Sequence, residues 1–240
     1  MKHALGLVLL FLLAAAYMRL GLFIPIEWTD EGVIVYPMWR VAEGELPYRD
    51  FQQMYGPSVF FLGGWLFRIF DSDLAVLRYF LLAIKAATCV LVYLGARRIS
   101  APLFACIAYS LAVVLAGLPW PIVTTPYASF FGTLLCLAGL LSFLALERRF
   151  LLGCVVAGLC FGFASTFKQT SGAFAFLALC LYLLVDDGVW KRRPGTTFAS
   201  LIRASRGFVL LVTAAVAVVY LVPRNPFWNL ALLLTPMFGG

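Results

Sequence analysis

The sequence is short of charge and of histidine. Only 12% of its 240 residues are Asp, Glu, Lys or Arg, against roughly 25% in an ordinary soluble domain. With 63% hydrophobic residues and a mean hydropathy of +0.98, this excludes a common water-soluble globule and indicates a polytopic membrane protein. There is one histidine, His3, and the six cysteines (Cys89, Cys106, Cys136, Cys154, Cys160, Cys180) fall inside apolar runs without metal-type spacing. That excludes a Cys/His zinc site and leaves structural thiols. The net charge of +7 requires no nucleic acid, because Lys and Arg are enriched in the cytoplasmic loops of such proteins.

The acidic residues are few but gathered. Six of the eleven lie in or at the edge of Trp28–Tyr55: Glu27, Asp30, Glu31, Glu43, Glu45 and Asp50. This is the one long polar interruption of the chain, and a polar stretch held at a membrane face is where chemistry is expected. Around it, Ala4–Ile24 reads as a first membrane-crossing helix, and Lys2 with Ala14-Ala15-Ala16 also suits a cleavable signal peptide. Arg19 sits near the outer end of that run, where it can snorkel to the interface. Glu31–Gly44 reads as a short surface helix with Ile34, Met38 and Val41 on one face, although Pro37 should kink it after one turn.

Pro57–Phe70 is apolar, yet 14 residues of helix reach only about 21 Å, short of a roughly 30 Å core. Placed in the interface, it is followed by spans at Leu74–Ala96, Leu103–Leu118, Tyr127–Leu146, Leu151–Phe167, Gly172–Val185 and Phe208–Val222. Ten basic residues then face the cytoplasm against six outside; if Pro57–Phe70 crossed, nine of the ten would move outside. The positive-inside rule selects the first arrangement. The expectation is therefore an all-α, polytopic bundle of about seven spans with the N-terminus cytoplasmic. Short juxtamembrane helices lie in a first outer loop, residues 25–73, and residues 1–240 form a single transmembrane domain. The tail Pro223–Gly240 stops without a polar region, so the chain is expected to be truncated or part of a longer protein.

Asp30-Glu31 has two readings. As the first turn of a helix, with Thr29 or Asp30 capping, both acids are favoured by the positive helix end. As a functional pair, one carboxylate takes a proton from an incoming hydroxyl and the other supports it or holds a metal. Neighbours project about 100° apart on a helix, so they hardly share one job. Lys168 can snorkel or pair with a lipid phosphate across the same outer face. Arg78 has the same phosphate reading, and a structural one if Asp71 or Asp73 pairs with it.

The acidic pair is followed by Glu43-Gly44-Glu45-Leu46-Pro47-Tyr48-Arg49-Asp50-Phe51, then Tyr55-Gly56-Pro57, then Leu77-Arg78 at the head of the second span. In this order, over Arg19–Ala96 and more loosely to Val185, the chain resembles the integral-membrane glycosyltransferases of the GT-C fold. It is most similar to the bacterial group related to protein O-mannosyltransferases and lipid A aminoarabinose transferases. The resemblance implies Asp30 as catalytic base with Glu31 assisting. It also implies donor-phosphate binding by Lys168, Arg78 and Gln169, and a supporting loop of Tyr48, Arg49, Asp50 and Tyr55. The second outer loop, Leu118–Phe131, has no Asp, Glu or His where many members of that group carry a further acid. No metal site or cofactor is therefore expected, with a divalent metal left open.

The function so implied is transfer of a sugar from a polyprenyl-phosphate donor to a lipid, glycan or protein acceptor on the outer face of the plasma (inner) membrane. The rival is a multi-pass transporter or lipid flippase without covalent chemistry. That activity wants ionisable residues near the midplane and repeated halves; only Lys85 lies well inside a span, and no repeat is visible.

Overall fold

Residues 2–22, 30–118 and 125–185 are described by the computed structural model, and the described chain is all-helical. It divides into two units, Met1–Ala173 and Phe174–Gly240. In the first are α1 (Lys2–Arg19), α2 (Asp30–Ala42), α3 (Pro57–Phe70), α4 (Leu74–Ile99), α5 (Pro102–Gly117), α6 (Ala128–Ala145) and α7 (Phe150–Phe167); a 3-10 turn, Glu147–Arg149, joins the last two. An eighth helix, α8 (Gln169–Val185), starts in the first unit, and its later turns are the described part of the second. The expected span at Phe208–Val222 and the basic cluster Lys191–Arg193 lie outside the described residues.

The helix ends follow local chemistry. Pro57 and Pro102 open α3 and α5 at the first turn, where a missing N–H costs nothing and φ is already helical. The Asp73 side chain accepts from Ala75 N at 2.8 Å and caps α4. Two residues past the end of α2, Gly44 adopts φ 102, a backbone that favours glycine. The last carbonyls of α2, Val41 O and Ala42 O, accept from Arg68 on α3 at 3.1 and 2.8 Å.

Pro37 does not stop α2, which runs thirteen residues through it. Tertiary packing outweighs the lost hydrogen bond. Ile34, Pro37, Met38 and Val41 are buried along one face, and α3 meets them with Gly63 and Gly64. A Cβ on Gly64 would approach Val41 Cγ1 to 2.7 Å, so only glycine admits this approach of the two helices. The face read from the sequence is the one that packs.

Among the described residues three helical segments, Leu74–Ile99, Ala128–Ala145 and Glu147–Phe167, are long and apolar enough to cross a membrane. Only 33%, 28% and 33% of their apolar windows are buried; an apolar surface left so open needs a lipid solvent. His3–Arg19, Pro57–Phe70, Pro102–Gly117 and Gln169–Leu183 are shorter apolar helices.

Among the described residues, two apolar clusters hold the first unit. One joins α2, α3, α4, α6 and α7 through Ile34, Phe60, Leu77, Phe131 and Phe167; Phe131 stacks on Phe167 at 5.3 Å and on Phe80 at 6.2 Å. The other joins α1, α4 and α5 through Ala14, Met18, Ala86, Cys89 and Tyr109. The stack of Phe80, Phe131 and Phe167, in one cluster with Ile34 and Met38, brings the start of α4, the start of α6 and the end of α7 to one end of the unit with α2. Arg97, Arg98, Arg148 and Arg149 belong to the other end, where Glu147 is the acidic residue among those described.

Candidate functional site

The first two residues of α2 go to different places. Asp30 is exposed and its Oδ2 accepts from the Tyr127 hydroxyl, which projects from the residue just before α6. Glu31 is 1% exposed and turns into the bundle. Arg78 Nε and Nη2 donate to its two carboxylate oxygens at 3.0 and 2.8 Å, and Arg78 Nη1 donates to Leu22 O at 2.9 Å. The bidentate fork is the strongest geometry available to such a pair. It ties α2 to α4 and to the end of α1.

Two expectations change here. Arg78 has its structural partner, but the partner is Glu31 rather than Asp71 or Asp73; Asp73 is occupied in capping α4. The Arg78 guanidinium is buried and held by Glu31 and Leu22, which ties α2 to α4. Glu31 lies buried in that pair rather than beside Asp30 at the surface.

The loop Glu43–Tyr55 is braced from within. Arg40 donates from Nε to Glu45 Oε2 at 2.6 Å, and its guanidinium lies 4.5 Å from the Phe51 ring centre. Asp50 accepts from Arg49 Nε at 2.9 Å and from Leu46 N at 2.8 Å. These bonds hold its carboxyl down at about 2, so it stays ionised through any physiological range. Tyr48 adopts φ 65, a strained backbone for a bulky residue, and its hydroxyl donates to Tyr55 O. Burial raises the Tyr55 phenol above its usual range, and the nearby Asp30 carboxylate adds to the effect. Tyr48, Arg49, Asp50 and Tyr55 thus form one braced loop whose last residue lies within electrostatic reach of Asp30. Arg40, its hub, is invisible to motif reading because it lies on the preceding helix.

The Tyr55-Gly56-Pro57 turn seats this loop on the end of α7. Gly56 N donates to Phe167 O at 3.2 Å, and Ser58 Oγ and Thr166 Oγ1 are 2.6 Å apart. A Cβ on Gly56 would collide with the Thr166 carbonyl oxygen. Gly56→Ala is therefore expected to destabilise the first unit by about 1–3 kcal/mol, the usual cost of overpacking. A thermal melt in detergent reads this, and a melting temperature equal to wild type would contradict the close approach.

Lys168 follows directly, exposed, between α7 and α8. Gln169 is the first residue of α8 and is also exposed. The exposed N-terminal amides of a helix beside an ammonium favour a phosphate oxygen. Phe167 also lines an apolar groove of about 460 Å³ between α3, α4, α6 and α7, walled by Phe61, Trp65, Ile84, Leu134 and Phe163. Ser58, already bonded to Thr166, is its polar group. Asp30, bonded to Tyr127 just ahead of α6, and Lys168, next to the groove-lining Phe167 that accepts from Gly56 N, thus belong to the same end of the unit. Among the described residues no group of three or more His, Cys, Asp or Glu side chains is placed to hold a metal ion.

No family model, curated protein or solved structure matches the chain. The chemistry of the site therefore rests on its own geometry. Tyr127 meets Asp30 although no motif marks it; its one sequence signal is a phenol in Thr125-Pro126-Tyr127, just ahead of α6, in a loop without Asp, Glu or His.

Proposed function

We propose that the protein is a multi-pass membrane glycosyltransferase of the GT-C type with about seven spans. It transfers a sugar from a polyprenyl-phosphate donor to an acceptor hydroxyl at the outer membrane face. The observation that carries this reading is the conjunction at one end of the first unit: a carboxylate at Asp30, a cation at Lys168, and an apolar groove lined by the neighbouring Phe167. A polyprenyl phosphate has the matching shape, an anionic head on a long hydrocarbon tail. The tail reaches the groove from lipid rather than from water, so packing contacts and not the hydrophobic effect hold it there.

In the reaction, Asp30 takes the proton of the acceptor hydroxyl. The acceptor oxygen forms a bond to the anomeric carbon as the bond from that carbon to the phosphate oxygen breaks. The bonding pair leaves with the polyprenyl phosphate, whose added charge Lys168 and the α8 amides stabilise. The chain's residues need supply only orientation, a base and a counter-charge. The basic end, with Arg97, Arg98, Arg148 and Arg149, is cytoplasmic on this reading. Single-cysteine labelling should then reach position 50 with an impermeant outside reagent and miss position 98; the opposite pattern would invert the topology.

Binding of undecaprenyl phosphate to the purified protein tests the reading. Saturable binding is expected, and Lys168→Ala should weaken it roughly 10- to 150-fold by removing a charge-assisted contact. Unchanged affinity in a folded variant would leave Lys168 as a snorkelling lysine.

A further inference from the structure

We propose that Tyr127 is a positioning residue for the transfer reaction, its phenol fixing which oxygen of Asp30 is presented as base. This rests on the reading of Asp30 as base given above. Three features of the phenol support it.

First, the phenol comes from a rigid mount. Tyr127 N donates to Thr125 O at 2.8 Å, and Tyr127 O accepts from Phe130 N at 3.1 Å. Thr125 is 0% exposed and Ala128 1% exposed, and Pro126 is fully buried. Tyr127 itself packs against the main apolar cluster. Its hydroxyl is therefore held by the fold and does not follow Asp30.

Second, Asp30 needs such a hold. An exposed carboxylate in the first turn of a helix has several rotamers open to it, and a backbone cap would compete for its oxygens. A donated O–H to Oδ2 selects one orientation, and orientation is a large part of what an enzyme contributes to rate. Third, the contact joins two elements that carry different parts of the site. α2 brings the acid, and α6 lines the apolar groove through Phe131, Leu134 and Leu135. Among the described residues, Tyr55 senses the charge of the carboxylate, and the adjoining Glu31–Arg78 pair ties α2 to α4.

The phenol keeps its own proton throughout. The acceptor proton passes to Asp30, and Tyr127 remains the donor to Oδ2. Tyr127→Phe removes one oxygen and leaves the ring packing, so the fold should be retained.

The test combines kinetics with a readout of Asp30 itself. In protein labelled with ¹³C at aspartate carboxyls, the signal lost in Asp30→Asn belongs to Asp30. That signal should move in Tyr127→Phe. With radiolabelled undecaprenyl-phosphate hexose, kcat should fall about tenfold or more with KM little changed, the size expected for losing a hydrogen bond to a charged group. Tyr127→His, which keeps an N–H to donate, should recover part of the rate. In the Asp30→Asn background, Tyr127→Phe should have no further effect, whereas a merely structural tie would cost the same in both backgrounds. A shifted Asp30 signal with undiminished turnover would overturn the positioning role alone. An unmoved signal would deny the contact. A shifted signal with no turnover of the hexose donor by wild type would sink the transferase reading, and this role with it, while leaving the contact standing.

Discussion

Asp30→Asn is expected to lower transfer by at least about 10²-fold, the scale of losing a general base, while leaving the melting temperature close to wild type. Asn keeps the shape of the side chain, and its Oδ1 can still accept from Tyr127, so the contact to α6 survives. It is also a good residue for a helix start. What it cannot do is take a proton at neutral pH. A capping role for Asp30 predicts near-neutral substitution, so the two readings differ by orders of magnitude in one assay. Glu31→Gln should behave differently. It should lose stability first and activity as a consequence, because Glu31 faces Arg78 and not the surface.

The second large effect is on the fold. Arg78→Ala leaves the Glu31 carboxylate, 1% exposed, without the guanidinium that neutralises it. Breaking a buried pair in this way costs about 3–5 kcal/mol, roughly 6–20 °C in melting temperature for a unit of this size. Replacing both partners, Glu31→Leu with Arg78→Met, should recover much of that loss, since apolar residues of similar volume substitute for buried pairs at little cost. Donor binding in the double variant is then informative. If undecaprenyl phosphate still binds, Arg78 serves only to hold α2; if binding is lost with the fold restored, Arg78 meets the phosphate after all. Melts of the three proteins in the same detergent check the first part, and equal melting temperatures for Arg78→Ala and wild type would contradict the buried pair.

Much of the helical plan is legible in the residues. Apolar runs punctuated by Gly56-Pro57, Asp71–Asp73, Ala101-Pro102 and Arg148-Arg149 mark the bounds of α3 to α7 within a few positions, because such residues terminate helices by local chemistry. The α2 face was legible through Ile34, Met38 and Val41. The continuation of α2 through Pro37 was not, since it depends on the close approach of Gly63 and Gly64 from another helix.

The site divides in the same way. Asp30 and the braced loop stand out as polar residues in a greasy chain, and Gly56 by its dipeptide with proline. The Glu31–Arg78 pair spans 47 positions and arises only when α2 docks on α4, so no local pattern announces it. Tyr127 meets Asp30 across 97 positions, and an aromatic residue ahead of a membrane span is ordinarily an interfacial anchor. Its role depends on what it touches, and that is tertiary.

The most direct measurement takes the purified protein in proteoliposomes with a panel of radiolabelled undecaprenyl-phosphate hexoses. The wild type should release undecaprenyl phosphate and move the label to an acceptor or to water, and Asp30→Asn should release at most about one hundredth as much. Label carried across the bilayer on intact donor, with no undecaprenyl phosphate released by either protein, would contradict the account and make the molecule a lipid transporter.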